Sequence, residues 1–325
     1  MVSVDLIERR GAVLTPSALA CLSGVPTVNI SSGCAHGCIY CYTRGYSQHP
    51  GEGTVRVYRD TASRVARELA RKRREPASVY FCPSCDAFQP VEAVLDQSYA
   101  AMAAVLEAGV GVEFVTKGTV PERFLNLFVC HPGHVACQVG LTTLDEGLRR
   151  QLEPGAATVD ERLQAIARLK DVGASVSVRA DPLIHGVTDG EANLAALVAA
   201  CRDRGVADLA ASYLFLRPAV TASIKRHVAD AALAERILSP YSEGVRFRLR
   251  GGASGGLALP EVVRREGFDR LKQLVADAGL HVHLCGCKNP DLTAEHCHLT
   301  RAAAPQQTAS TTQRLLWDAR PASGA

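Results

Sequence analysis

The stretch Cys34-Ala-His-Gly-Cys38-Ile-Tyr-Cys41 follows the apolar run Val25 to Ile30 and the link Ser-Ser-Gly33, and its reading decides the rest of the chain. The cysteines are spaced C-x3-C-x2-C. Three thiolates this close in sequence can hold three corners of a cubane iron–sulfur cluster and leave the fourth iron free for a ligand that is not protein. The ferredoxin pattern, with its fourth cysteine, closes every iron and only carries electrons, whereas an open iron is a catalytic feature. The competing readings are a zinc site lacking a nearby fourth ligand and three buried thiols. Zinc motifs usually come as C-x2-C pairs, so the cluster reading is preferred.

Working outward, strand-length apolar runs alternate with amphipathic helical patterns. Expected strands are 27–30, 78–81, 112–116, 135–140, 175–179 and 209–214. Expected helices are 61–74, 91–108, 120–129, 159–172 and 191–204, read from apolar residues three and four apart. Gly109, Gly173 and Gly205 directly follow three of these helices, where a left-handed cap belongs. Six strand–helix repeats with no Gly-x-Gly-x-x-Gly after the first strand predict an α/β fold, a partial TIM-type (β/α)6 barrel rather than a Rossmann sheet. In such barrels chemistry sits at the carboxyl ends of the strands, which is where the cysteine run falls. The barrel core is expected over 1–217 and a C-terminal extension over 218–300. The extension reads as one long helix (220–238), a charged strand (245–250), a glycine-rich loop (251–256), a helix (260–278) and a last strand (281–284). The tail 301–325, rich in Ala, Thr, Gln and Pro, is expected to be disordered.

Composition sets limits. The chain has 325 residues, 47% of them hydrophobic, enough for a large core. A formal net charge of +3 gives no global field to draw it to nucleic acid. Arg71-Lys72-Arg73-Arg74 reads as a solvated helix end, and the alternation Arg246, Arg248, Arg250 as a solvated or ion-paired strand face. Twelve cysteines without a secretory signal argue for a reducing compartment and metal chemistry over a disulfide framework. No window approaches eighteen apolar residues, so no membrane span and a cytoplasmic location are expected.

The cysteine run, with Tyr40 before its last member, resembles the signature of the radical S-adenosylmethionine (SAM) superfamily. Further segments resemble its spore photoproduct lyase-like branch. They are Asp86-Ala-Phe-Gln-Pro-Val-Glu92, Thr116-Lys117, Leu141-Thr-Thr-Leu-Asp-Glu146 with Leu152-Glu-Pro154, and Arg179-Ala-Asp-Pro-Leu-Ile-His-Gly186-Val-Thr-Asp189. The resemblance implies that Cys34, Cys38 and Cys41 ligate a [4Fe–4S] cluster whose open iron chelates SAM. Electron transfer then breaks the sulfonium C–S bond to give a 5′-deoxyadenosyl radical. It further implies Tyr40 beside the adenine, Ser84 and Asp86 facing the amino group, Thr142 the ribose and Arg179 the carboxylate. Plainer readings stand beside these: an ion pair between Asp86 and Arg179, helix capping by Thr142 and Thr143, and a loop-shaping His36.

Cys82 and Cys85, at the expected end of the second strand, stand near the point where the branch places a cysteine that returns a hydrogen atom to the substrate radical, though the cysteine position differs slightly and the role does not carry over directly. A C-x2-C metal knuckle and buried thiols are the alternatives. Cys285, Cys287 and Cys297, with the adjacent His298, have the ligand types for an auxiliary iron–sulfur cluster or zinc, and Cys82 or Cys85 would complete the set of four thiolates. Cys21, Cys130, Cys137 and Cys201 lie in apolar periodic contexts and read as core. The expectation is a radical SAM enzyme fed by an external flavodoxin- or ferredoxin-type reductant, since the chain has no flavin motif. Near-balanced charge and 5% aromatic residues favour a nucleotide-derived or other small substrate over DNA. The alternatives are a pyrimidine-dimer lyase acting on DNA and a non-enzymatic zinc or nucleic-acid-binding module.

Overall fold

A computed structural model describes residues 2–17, 19–248 and 255–297. Arg250, the loop residues 251–254, His298 and the tail 301–325 lie outside the described residues. The chain opens with β1 (Ser3–Ile7), β2 (Thr15–Pro16), β3 (Pro26–Val28), β4 (Ser31–Ser32) and β5 (Thr54–Tyr58). Then strands and helices alternate: α1 (Thr61–Ala70), β6 (Ser78–Phe81), α2 (Glu92–Glu107), β7 (Gly111–Thr116), α3 (Glu122–Val129) and β8 (Val135–Gly140). They continue through α4 (Glu146–Leu152), α5 (Val159–Asp171), β9 (Ser175–Leu183), α6 (Glu191–Asp203) and β10 (Asp208–Tyr213). The last third holds α7 (Pro218–His227), α8 (Ala231–Leu238), β11 (Val245–Arg248), β12 (Gly255–Ala258), α9 (Glu261–Asp277) and β13 (His281–Leu284).

The main sheet has eight strands in the order β13-β10-β9-β8-β7-β6-β3-β2, and every pairing but β2 with β3 is parallel. This is the partial barrel expected from the alternation. Its strands are covered on both faces, so they read as continuous apolar runs: all six residues of β8 are buried. The polar exceptions inside are paired, as where Gln138 donates to Ser177 Oγ at 3.3 Å. Left-handed Gly109, Gly173 and Gly205 close α2, α5 and α6 as expected. Helix α5 starts on a capping box in which Thr158 and Glu161 exchange hydrogen bonds.

Packing fixes the loop that follows β6. Phe88 stacks at 4.8 Å from Phe114 on β7 and 4.9 Å from Phe124 on α3. Three buried rings in one contact set resist displacement, since truncating such a residue to alanine costs about 3–5 kcal/mol.

Three expectations need correction. The single helix over 220–238 is two, because Val228 and Ala229 leave the helix and the Asp230 side chain accepts from Ala232 N to cap α8. Part of the glycine-rich loop is strand: Gly255 and Gly256 pair with Arg248 and Phe247. A small sheet of β1, β5 and β4 was not foreseen. Residues 71–74 lie exposed just past α1, as a solvated helix end should.

Candidate active site

Parallel strands place their carboxyl ends along one edge, and the cysteine loop 34–41 lies there. Its backbone is held from three directions. Ala35 N donates to Gln89 Oε1 at 2.8 Å, Ile39 N to the Leu152 carbonyl at 3.0 Å, and Gly155 N to the His36 carbonyl at 2.9 Å. Arg44 reaches back to the carbonyls of Gly37 and Cys38. Gly155 packs so closely that a Cβ there would lie 2.2 Å from the Ala35 carbonyl oxygen. The two segments can meet only at glycine.

His36 is the keystone of this clamp. Its Nε2 meets Asp86 Oδ2 at 3.0 Å and its Nδ1 the Gly155 carbonyl at 3.1 Å. Asp86 also accepts from Phe88 N and Lys117 N, both at 2.8 Å, and from Thr116 Oγ1 at 2.9 Å. Burial alone would raise the Asp86 carboxyl; His36 and the backbone donors outweigh it and hold the group below the usual carboxylate range. A second buried knot lies under Tyr40. Its hydroxyl donates to Glu153, which also pairs with Arg162 and has Lys117 Nζ at 3.9 Å.

Above the loop opens a cavity of about 1100 Å³. Cys34, Cys38 and Cys41 line it, and no thiol–thiol hydrogen bond joins them among the described residues. Burial and the nearby Glu153 push the Cys38 thiol up to about 12, so a metal must displace its proton to bind. Three separated thiols on a clamped loop, opening to a cavity, are a fitting donor set for a cluster with one open corner. Among the described residues no three His, Cys, Asp or Glu side chains form a preformed metal cage, so the fit lies in donor type and placement.

The other expected site residues divide. Tyr40, Ser84 and Arg179 line the cavity. Asp86 lines it as well, with both carboxylate oxygens engaged in the clamp. Thr142 is buried with its carbonyl accepting from Asn193, and the cavity lining does not include it. Helix α4 is capped by Asp145, with Thr143 accepting from Asp145 N. The ion pair between Asp86 and Arg179 does not form, because Arg179 pairs with Asp181 at 2.7 Å.

Cys82 and Cys85 both line the cavity and hydrogen-bond to each other. Cys82 has φ 57°, a left-handed conformation uncommon for a residue with a Cβ and frequent at functional sites. Cys85 sits by Ser31 and Asn29, so the pair does not complete the C-terminal set. Cys21 does: its thiol meets those of Cys287 and Cys297, while Cys297 Sγ lies 3.3 Å from Cys285 Sγ. Cys21 is therefore no ordinary core residue. Cys130 is exposed at the end of α3, also against expectation, while Cys137 and Cys201 are buried as expected. Arg179 donates to Cys297 Sγ at 3.5 Å, and Lys288 Nζ joins Arg179 on Asp181 at 2.7 Å.

Comparison with known proteins agrees with this geometry. A family model described as the radical SAM superfamily matches residues 28–198, more than half of the chain, and the chain belongs to that superfamily. Among curated relatives, it is 27% identical over 182 residues to a radical SAM Nalpha-GlyT isomerase of Pseudomonas phage M6, covering 55% of this chain and 37% of that protein. It is also 27% identical over 200 residues to an uncharacterized protein of Mycobacterium tuberculosis, covering 59% of each. Spore photoproduct lyase complexed with dinucleoside spore photoproduct superposes with TM-score 0.66 at 17% identity, covering 86% of this chain and 82% of that one. A double mutant of the same lyase, with bound AdoMet and dinucleoside spore photoproduct, gives TM-score 0.64 at 15% identity, covering 86% of this chain and 81% of that one. These two likenesses are of fold. Superfamily membership implies a [4Fe–4S] cluster and SAM.

Proposed function

We propose that this radical SAM protein cleaves SAM reductively to a 5′-deoxyadenosyl radical, which takes a hydrogen atom from a small, nucleotide-derived substrate and leaves as 5′-deoxyadenosine. The observation that carries this reading is the clamped triad at the floor of the 1100 Å³ cavity. Pockets for a single ligand run to about 300–1,000 Å³, so this one has room for SAM and a second small molecule together. When bound, the cluster supplies the electron that breaks the C–S bond. Cys34, Cys38 and Cys41 would hold it, with Tyr40 and Ser84 on the SAM-facing wall.

The chain's own residues then position and exclude water. Tyr42 and Tyr46 stack edge to face at 5.8 Å, and the Arg217 guanidinium lies within 5.9 Å of both rings and of Phe215. Such a set offers flat faces and positive charge to a base and its phosphate. Burial, and the hydrogen bond with Cys85, push the Cys82 thiol up, so it keeps its S–H and is the sulfur able to return a hydrogen atom. An external low-potential reductant of flavodoxin or ferredoxin type completes the cycle. The C-terminal cysteines hold a second metal centre, separate from the cluster. Among the described residues no helix is long and apolar enough to cross a membrane.

The test is anaerobic reconstitution with iron, sulfide, SAM and dithionite, scoring 5′-deoxyadenosine. Absence of that product sinks the enzyme reading. Turnover of duplex DNA in preference to mono- and dinucleosides would sink the small-substrate part alone.

A further inference from the structure

The four thiols of Cys21, Cys285, Cys287 and Cys297 come from opposite ends of the described chain. Cys21 lies on the short turn Ala20–Leu22 between β2 and β3, and Cys285 is the first residue after β13. Cys285, Cys287 and Cys297 are all buried, with Cys21 half-buried against them. The C-terminal loop is shaped to gather them. Cys285 N donates to the Ala211 carbonyl at 3.0 Å, Gly286 N to the Glu295 carbonyl at 3.0 Å, and the Glu295 carboxylate accepts from Leu284 N at 2.9 Å. A Cβ at Gly286 would lie 2.6 Å from the Glu295 carbonyl oxygen. The residue between Cys285 and Cys287 must therefore be glycine for the chain to return and deliver Cys297.

We infer that Cys21, Cys285, Cys287 and Cys297 form a closed four-thiolate site for one tetrahedral divalent ion, zinc, that structures the cavity wall and takes no part in electron transfer. This rests on the reading that the C-terminal group holds metal, and not on SAM cleavage. Sulfur spacing selects one ion over a cluster. Around a single zinc with Zn–S near 2.3 Å, tetrahedral geometry sets ligand sulfurs about 3.8 Å apart. A cubane puts each thiolate on a different iron and spreads them wider. The Cys285 and Cys297 sulfurs at 3.3 Å, each also hydrogen-bonded to a further thiol of the set, are nearer the first arrangement; the four thiols are gathered but not drawn into the finished cage that a bound ion would close. The triad, whose thiols make no such contacts, suits the second.

The surroundings suit a buried complex of net charge −2. Arg179 donates to the Cys297 sulfur, and the backbone N–H of Cys21 to that of Cys287, the kind of N–H···S support that outer partners give metal thiolates. Arg179 and Lys288 share one carboxylate, Asp181, which leaves this trio one positive charge in excess beside the sulfurs.

The experiment measures zinc, iron and sulfide per full-length chain, after anaerobic reconstitution and a chelator challenge. It compares wild type, a triad triple variant (Cys34→Ser, Cys38→Ser, Cys41→Ser), Cys21→Ala and Cys21→His. One zinc in wild type and in the triad variant is expected, with at least about a hundredfold weaker zinc retention in Cys21→Ala. Cys21→His keeps a donor, so it should retain metal, and after cobalt substitution show an altered ligand-field spectrum. Full zinc retention with an unchanged cobalt spectrum in both Cys21 variants would remove Cys21 from the site. Extra iron and sulfide in place of zinc would replace the single ion with a cluster. No metal at all, with two or four thiols lost to disulfides by mass spectrometry, would overturn the metal centre while leaving 5′-deoxyadenosine formation to be judged separately.

Discussion

The two cysteine groups face one cavity, yet they are built in opposite ways. The triad is contiguous in sequence, and neighbouring segments at 86–89 and 152–155 grip its backbone while its thiols stay apart. The C-terminal group recruits a member from 264 positions away, and its thiols touch each other. A rigid backbone with separated sulfurs leaves space at the metal for a substrate; sulfurs in mutual contact leave none. On the proposed reading, the contrast divides catalysis from architecture around one cavity.

The sharpest break comes at the triad. Alanine at Cys34, Cys38 or Cys41 should abolish 5′-deoxyadenosine formation, and full activity in any one of them removes the cluster from that loop. Next in size, alanine at Cys285, Cys287 and Cys297 together should strip the second metal completely while iron bound at the triad stays at its wild-type level; metal analysis decides. Equal loss from both groups would show the contrast to be false.

Asp86→Asn attacks the clamp. Removing one charge of a buried, multiply bonded pair costs about 3–5 kcal/mol, to be read from denaturant unfolding together with weaker iron retention. Because the Asp86 pKa is depressed on folding, its contribution is present above the ordinary carboxylate range near 3.9 and is lost as pH falls through the lower folded value. Wild type should therefore lose more stability than the variant on acidification below about pH 4. Arg179→Ala should weaken zinc retention about 10- to 100-fold, the usual effect of removing a ligand's hydrogen-bond partner, and leave iron unchanged. Cys130→Ser, on an exposed thiol, should shift stability by no more than about 0.5 kcal/mol.

Much of this was legible from local pattern. A triad within eight residues and a strand–helix period are short-range signals, and both survive intact in the fold. The rest depends on distance. Cys21 carries an apolar context like any core thiol, and only the return of β13 to β10 brings its partners near. Glu153 and Arg162 look like unrelated helix-end charges until α4 and α5 fold their buried pair under Tyr40. The break before Asp230 was readable as a cap, but the apolar spacing ran through it and masked the signal. The sheet of β1, β5 and β4 hid for another reason: Val4 and Leu6 are exposed, so their alternation marks no buried face.

The parallel pairing of β13 with β10 also orders events in time. During synthesis, the cysteine loop and both of its clamps emerge within the first 155 residues, whereas the far wall of the cavity waits for His281–Leu284. Until then β10 presents an unpaired edge, a template for association with other chains. A nascent chain paused before position 281 would have its triad loop assembled, its pocket unwalled and a sticky flank exposed.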